Sequence, residues 1–218
     1  MTTVLSLATA YLLGSLPWGL WIGRLRGVDV RRHGSGNLGA TNVGRLLGWK
    51  LGGLVLLLDA AKGGIAVALA RAASGPDTGA FLPAACAAVS VLGHITSPWA
   101  GFRGGKGVAT AAGSGLVLLP VALLIAAGLF ATVFALSRMV SLGSMLAAAA
   151  LPLAVLLAGE RGIERPWHLA WAVSVAILIL WRHGSNLGRI LAGREPRVGG
   201  RGRSHRETDA PETPRGPR

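Results

Sequence analysis

No charged side chain occurs between Met1 and Gly23, and the chain then returns repeatedly to apolar stretches of similar length. A helix needs about 20 apolar residues to cross a bilayer, where every backbone N–H and C=O must be bonded internally. Six stretches meet or approach that length: Val4 to Gly23, Leu51 to Ala70, Ala80 to Trp99, Val108 to Leu136, Leu142 to Ala158 and Trp167 to Trp181. With 51% hydrophobic and only 14% charged residues in 218, an ordinary water-soluble domain is excluded. The sequence predicts an all-α, polytopic integral membrane protein. The first stretch has no basic n-region and no small-x-small cleavage site, so it reads as a retained helix rather than a removable signal. The single Cys86 lies in an apolar run, so neither a disulfide framework nor a cysteine metal site can be built. No metal and no cofactor are expected.

The net charge of +13 is concentrated in blocks. Arg24 to Lys50 holds six basic residues against Asp29, and from Arg182 onward nine arginines face four acids. Such blocks mark cytoplasmic segments by the positive-inside rule, ahead of any contact with nucleic acid, which is not expected as a partner, or with anionic lipid. If the first basic segment is cytoplasmic, the amino terminus is outside and the loop Arg71 to Gly79 is outside as well. A single crossing over Val108 to Leu136 would then leave the Arg-rich tail outside. Two shorter crossings turning near Pro120 bring it back. The sequence therefore predicts a seven-transmembrane-helix bundle with helix four short. Ser137, Arg138 and Ser141 fall on the cytoplasmic face, and the loop Glu160 to Arg165 falls outside. Residues 1–193 form the membrane domain, and 194–218, rich in Arg, Gly and Pro, read as a disordered basic tail.

Three glycine-rich basic cassettes sit at the ends of the apolar runs: Gly34 to Arg45, Gly93 to Thr110 and His183 to Glu195. Glycine lets backbone N–H groups close on an anion and an adjacent Arg or Lys neutralises it, so together they suggest phosphate handling at a bilayer surface. Two familiar nucleotide patterns fail on context. Gly34, Gly36 and Gly39 satisfy GxGxxG, but the segment before them is basic rather than a strand, and Asp59 lies inside an apolar run. The GGKG around Lys106 lacks the Walker spacing, with Ala100 and Gly107 at the deciding positions.

In the first cassette Ser35, Asn37, Thr41 and Asn42 offer neutral donors and Arg45 a fork suited to phosphate. The same Ser and Asn residues also suit a helix cap near Ala40, with Arg45 a topology marker. In the second, glycines flank Arg103 and Lys106, and Val108 opens a helix whose amino terminus can face an anion, although a flexible interfacial turn fits the same residues. In the third, His183 and Asn186 stand three apart on one helical face, with Arg189 one turn on. Asp59 and Lys62 inside a span suit an intramembrane ion pair, either structural or catalytic. His94 reads as a side chain satisfied by a backbone carbonyl.

The runs GSGNLGATNVGR, GHITSPWAGFRGGKGVAT and HGSNLGR, in this order and spacing, strongly resemble the three motifs of the bacterial acyl-phosphate:glycerol-3-phosphate acyltransferase family. The likeness spans roughly Val4 to Glu195. It implies transfer of a fatty acyl group from acyl phosphate to the 1-position of glycerol 3-phosphate, giving lysophosphatidic acid without coenzyme A or acyl carrier protein. It also implies a multi-pass bacterial cell-membrane protein with its site at the cytoplasmic face. By motif match Ser35, Asn37, Arg45, Lys106, Ser141, His183 and Asn186 line the site. The chain departs mildly from the family in Thr96-Ser97-Pro98-Trp99, in Arg103 and in Gly184-Ser185.

Acyl phosphate is a mixed anhydride with a good leaving group, so its transfer needs positioning and charge neutralisation more than a covalent nucleophile. On that reading Lys106 with the amides of Gly104 and Gly105, beside Arg103, binds one phosphate, and Arg45 with Ser35 and Asn37 the other. His183, oriented by Asn186, either accepts the glycerol hydroxyl proton or hydrogen-bonds it while the donor phosphate takes the proton. No histidine is followed by Asp at the fifth position, so the HxxxxD arrangement of coenzyme-A-dependent acyltransferases is absent. The alternative is an organic-phosphate transporter, but its polar residues should line a path near the midplane, and only Asp59 and Lys62 lie deep. Membrane lipids surround the protein on either reading, and a soluble acyl-phosphate synthase is a candidate partner for the basic tail.

Overall fold

The computed structural model describes residues 1–76, 78–159 and 162–199. The described residues contain ten α-helices: α1 (Thr2–Ser15), α2 (Trp18–Leu25), α3 (Ala40–Leu47), α4 (Trp49–Ala73), α5 (Phe81–Ile95), α6 (Val108–Leu118), α7 (Pro120–Ser137), α8 (Val140–Leu157), α9 (Arg165–Arg182) and α10 (Gly184–Leu191). Five segments are long and apolar enough to cross a bilayer: Thr2–Leu25, Trp49–Ala73, Phe81–Ala100, Pro120–Ser137 and Val140–Leu157. The protein is therefore all-helical and membrane-integral in character, as its hydropathy dictates.

The run Val108 to Leu136 splits where the charge argument requires. Leu119 leaves helical geometry and Pro120 opens α7, because proline suits a first helical turn and forbids the residue before it from staying helical. Helix α6 has 11 residues, about 16 Å at 1.5 Å per residue, roughly half a hydrocarbon core. The expected single helix over Val4 to Gly23 is instead two, broken at Leu16 and Pro17. Proline cannot donate to the preceding turn, so the ladder stops there. The carbonyls freed by the break find donors on other helices: Lys62 Nζ of α4 donates to Leu16 at 2.7 Å and Ser97 Oγ to Ser15 at 2.5 Å.

Lipid offers helices little hydrophobic reason to associate, so close packing of small residues carries the bundle. On α4 and α6, a Cβ at Gly63 would overlap the Thr110 carbonyl, and one at Gly113 would overlap that of Ala60. Helices α1 and α5 approach likewise, Gly14 against the Ser90 backbone and Gly93 against the Tyr11 carbonyl. Trp171 of α9 is buried in the main core with Val67, Val91, Val155 and Val175. Outward faces stay oily, with Leu57, Leu124 and Ile177 all exposed, as a lipid solvent permits. The chain after α10 departs from the expected tail. Residues 194–199 return to the bundle, where the Glu195 side chain is 5% exposed and the Val198 N–H donates to the Arg138 carbonyl. The rest of the predicted tail, residues 200–218, lies outside the described residues.

Candidate active site

All three cassettes converge on one cavity of about 500 Å³ at the ends of the helices. Its polar wall includes Ser35, Asn37, Arg45, Lys106, Ser141, His183, Asn186, Arg189 and Glu195, and its apolar wall includes Leu56, Val108, Ala109, Phe130 and Val140. The cavity is thus amphiphilic, lined by three cations, Arg45, Lys106 and Arg189, and by oily residues.

The first cassette is shaped from inside by Asn42, which is 2% exposed. Its Nδ2 donates to the carbonyls of Val30, His33 and Asn37, and its Oδ1 accepts the Ser35 N–H at 2.9 Å. Gly34 must be glycine twice over: its φ is +61°, and a Cβ there would overlap Asn42 Oδ1. Asn37 Oδ1 accepts the Gly39 N–H at 2.8 Å, holding the start of α3. The two asparagines therefore build the loop, while Ser35 and Arg45 stand free enough of it to meet a ligand at the mouth.

The second cassette differs from expectation. The Gly104 N–H donates to the Ile95 carbonyl at 2.9 Å and the Gly105 N–H to the His94 carbonyl at 3.2 Å, so neither amide points at a substrate. Their carbonyls accept from Arg182, at 3.0 Å and 3.2 Å. Glycine is needed here for close approach, since a Cβ at Gly104 would overlap the His94 carbonyl and one at Gly105 the His94 ring. Arg103 is exposed and is not among the residues lining the cavity. Lys106 alone carries the loop's charge inward, donating to Asn186 Oδ1. Burial, partly offset by Glu195 and reinforced by Arg189, Arg182 and Arg45, holds its pKa down to about 8.

His183 caps α9 and is 2% exposed. Its Nδ1 donates to the Ile179 carbonyl at 2.8 Å, since a carbonyl can only accept. Burial first, and then the Lys106 charge, push its pKa down to about 4, so the ring is neutral near pH 7 and its Nε2 is a bare acceptor. The ring is oriented by Ile179 rather than by Asn186. Asn186 instead bridges Lys106 and Glu195, with Nδ2 donating to Glu195 Oε1 at 2.6 Å. Ser141 Oγ donates to the same oxygen at 2.6 Å, and Arg189 Nε to Oε2 at 2.8 Å. Burial raises the Glu195 pKa, but the hydrogen bonds from Ser141, Asn186 and Arg189 outweigh it and keep the carboxylate ionised.

Sequence reasoning gave no role in this site to Arg182, or to Glu195, which it named only as the end of the third cassette. The only signal for Glu195 was a lone acid between Arg194 and Arg197, in a segment whose composition read as solvated. Asp59 and His94 also reach the cavity wall, and His94 accepts from Lys62 at 2.9 Å rather than merely donating to a carbonyl.

The glycerol-3-phosphate acyltransferase family model matches residues 4–193, which takes in all three cassettes. The chain belongs to the glycerol-3-phosphate acyltransferase family. Among its relatives, the glycerol-3-phosphate acyltransferase of Synechococcus sp. strain CC9902 is 42% identical over 205 residues, 94% of this chain and 99% of the relative. That of Thermus thermophilus is 45% identical over 202 residues, 91% of this chain and 96% of the relative. The crystal structure of PlsY (YgiH), an integral membrane glycerol 3-phosphate acyltransferase, in its glycerol 3-phosphate form superposes with a TM-score of 0.84 at 40% identity, covering 91% of this chain and 96% of that one. Its lysophosphatidic acid form gives 0.82 at 39% identity over the same shares.

Proposed function

We propose that this acyltransferase moves a fatty acyl group from acyl phosphate to the 1-hydroxyl of glycerol 3-phosphate, forming lysophosphatidic acid without coenzyme A or acyl carrier protein. The observation that carries the reading is one cavity holding phosphate-binding cations, a neutral imidazole acceptor and an apolar wall. Arg45, Lys106 and Arg189 offset the charge of two phosphates that would otherwise repel each other. Leu56, Val108, Ala109, Phe130 and Val140 suit the donor's acyl chain, which reaches such a site through the membrane.

Bringing the glycerol hydroxyl onto the acyl carbonyl lets its oxygen bond to carbon while the bond from carbon to the phosphate oxygen breaks. His183 Nε2 accepts a hydrogen bond from that hydroxyl and aims its lone pair. With a pKa of about 4 the ring is a weaker base than a phosphate dianion, whose conjugate acid has a pKa of about 6, so the proton goes to the departing phosphate. The cavity thus supplies orientation and charge, and the donor supplies its own base.

The topology belongs to the same proposal. The α1–α2 pair, α4, α5, α6, α7, α8 and α9 make seven crossings, and the eight-residue helices α3 and α10 lie at the surface. The amino terminus is outside the bacterial cell membrane, and the cassettes and the tail face the cytoplasm. Cysteine labelling in intact cells should reach position 162 from outside and position 204 only after permeabilisation. The catalytic reading is tested by incubating purified protein with labelled glycerol 3-phosphate and either acyl phosphate or acyl-CoA. Labelled lysophosphatidic acid should form with the first donor and not with the second; product from acyl-CoA alone would refute the donor assignment.

A further inference from the structure

The inner wall of the cavity carries a charged cluster that the transfer chemistry does not use. Asp59 and Lys62 lie one turn apart on α4 and face His94 of α5, and the three are 1%, 3% and 7% exposed. Lys62 Nζ forms an ion pair with Asp59 Oδ1 at 2.8 Å, and donates to His94 Nδ1 at 2.9 Å and to the Leu16 carbonyl at 2.7 Å. Because Nδ1 accepts from the ammonium, the proton of a neutral His94 ring sits on Nε2.

That second edge of the ring lies against the loop carrying Lys106. A Cβ at Gly105 would overlap His94 Nε2, and the Gly105 N–H already donates to the His94 carbonyl at 3.2 Å. His94 therefore supports the turn twice, through ring and through backbone, immediately before Lys106 enters the cavity. Stability alone is a poor reason for such ions. Isolated charges in a membrane helix are costly, and apolar replacements of buried ion pairs are often as stable or more so. What an apolar cluster lacks is a fixed ring orientation, since a ring nitrogen held by an ammonium has one setting.

We propose that Asp59, Lys62 and His94 are positioning residues: the ion pair on α4 fixes the His94 ring, and the ring sets the Gly104–Gly105 turn that aims the Lys106 ammonium at substrate phosphate. The inference rests on the reading that Lys106 binds phosphate. Arg182 holds the same turn through its carbonyls, so the turn is held by a buried ring and a half-buried guanidinium.

Two variants of the full chain separate positioning from mere pairing. His94→Asn keeps an acceptor near the place of Nδ1 for Lys62 but removes the ring edge beneath Gly105. The double variant Asp59→Leu with Lys62→Met replaces the ions by apolar groups of similar size. Both are purified in detergent and followed by thermal unfolding, by KM and kcat for each phosphate substrate, and by the alkaline limb of kcat/KM that Lys106 sets. The proposal expects unfolding midpoints near that of the parent, a KM for one substrate raised roughly 10-fold with a smaller change in kcat, and an alkaline limb displaced from pH ~8, as expected if one charge-assisted hydrogen bond to phosphate is weakened. Parental KM values and an unmoved limb in folded variants would overturn it, as would unfolding of both variants, either result leaving the cluster a purely structural ion pair. Turnover by the parent protein in the same assays tests the proposed function itself, so the two ideas can fail separately.

Discussion

Lys106 offers the sharpest test of phosphate capture because its charge is both placed and weakened by the fold. Its ammonium donates to Asn186, while burial and the nearby arginines bring its pKa down to about 8. At pH 7 about 90% of the free enzyme then carries the charge and at pH 9 only about 10%, so kcat/KM should fall roughly 10-fold across that interval. Replacing Lys106 by Ala removes a charge-assisted hydrogen bond worth roughly 1.5 to 3 kcal/mol, which raises KM for a phosphate substrate about 10- to 150-fold and flattens the profile above pH 7. Lys106→Arg should move the alkaline limb beyond pH ~10, since a guanidinium stays charged. Unfolding cannot mimic the limb: a lysine whose folded pKa lies below its unfolded value makes the unfolded chain the better proton binder between about pH 8 and 10.4, so this group's contribution to stability rises there. The assay is the initial rate of lysophosphatidic acid formation from pH 6 to 10, with unfolding midpoints measured alongside. A limb that persists unchanged in folded Lys106→Ala would refute the reasoning.

His183→Ala should lower kcat roughly 10- to 100-fold by releasing the glycerol hydroxyl. The limb that His183 itself sets should lie near pH 4 rather than near 6.5, below the limb that protonation of the donor phosphate sets at about pH 6, because the buried ring stays neutral until then. Its stabilising contribution is present above pH 6.5 and is lost as pH falls through 4, so rates and midpoints from pH 4 to 7 check both signs. Glu195→Ala leaves Ser141, Asn186 and Arg189 without their shared acceptor and should raise KM and lower the unfolding midpoint, with Glu195→Gln milder. Ending the chain after residue 199 should preserve activity in membranes, whereas ending it after residue 193 should abolish it. Gly104→Ala drives a Cβ into the His94 carbonyl and should raise KM through the displaced turn, and Arg182→Gln should do the same more weakly.

Much of this was legible in the sequence, for reasons that mark where legibility ends. Hydropathy located the five long apolar helical segments because lipid tolerates no unsatisfied backbone, and charge parity pointed to a break near Pro120, where α6 gives way to α7. The same hydropathy hid the break at Pro17: both fragments are apolar, and the donors that satisfy the freed carbonyls, Lys62 and Ser97, lie far along the chain. Arg45, Lys106 and His183, which the cassettes offered as candidates for phosphate chemistry, are brought by the fold to one cavity. Glycine was the ambiguous letter. At Gly34 it serves a left-handed backbone, but at Gly104 and Gly105 it serves close approach to His94, and sequence alone does not separate those uses. Glu195 was lost because composition describes a segment's average, while a single carboxylate among arginines finds its partners only in three dimensions.

The central claim is direct transfer of an acyl group between two phosphate-bearing molecules held in one cavity, and its stoichiometry is measurable. Purified protein given acyl phosphate alone, then with glycerol 3-phosphate, should release inorganic phosphate only in the second case, one phosphate for each lysophosphatidic acid formed. Both products should disappear together when Arg45 and Lys106 are replaced. Phosphate released without glycerol 3-phosphate, or lysophosphatidic acid formed without matching phosphate, would contradict the account.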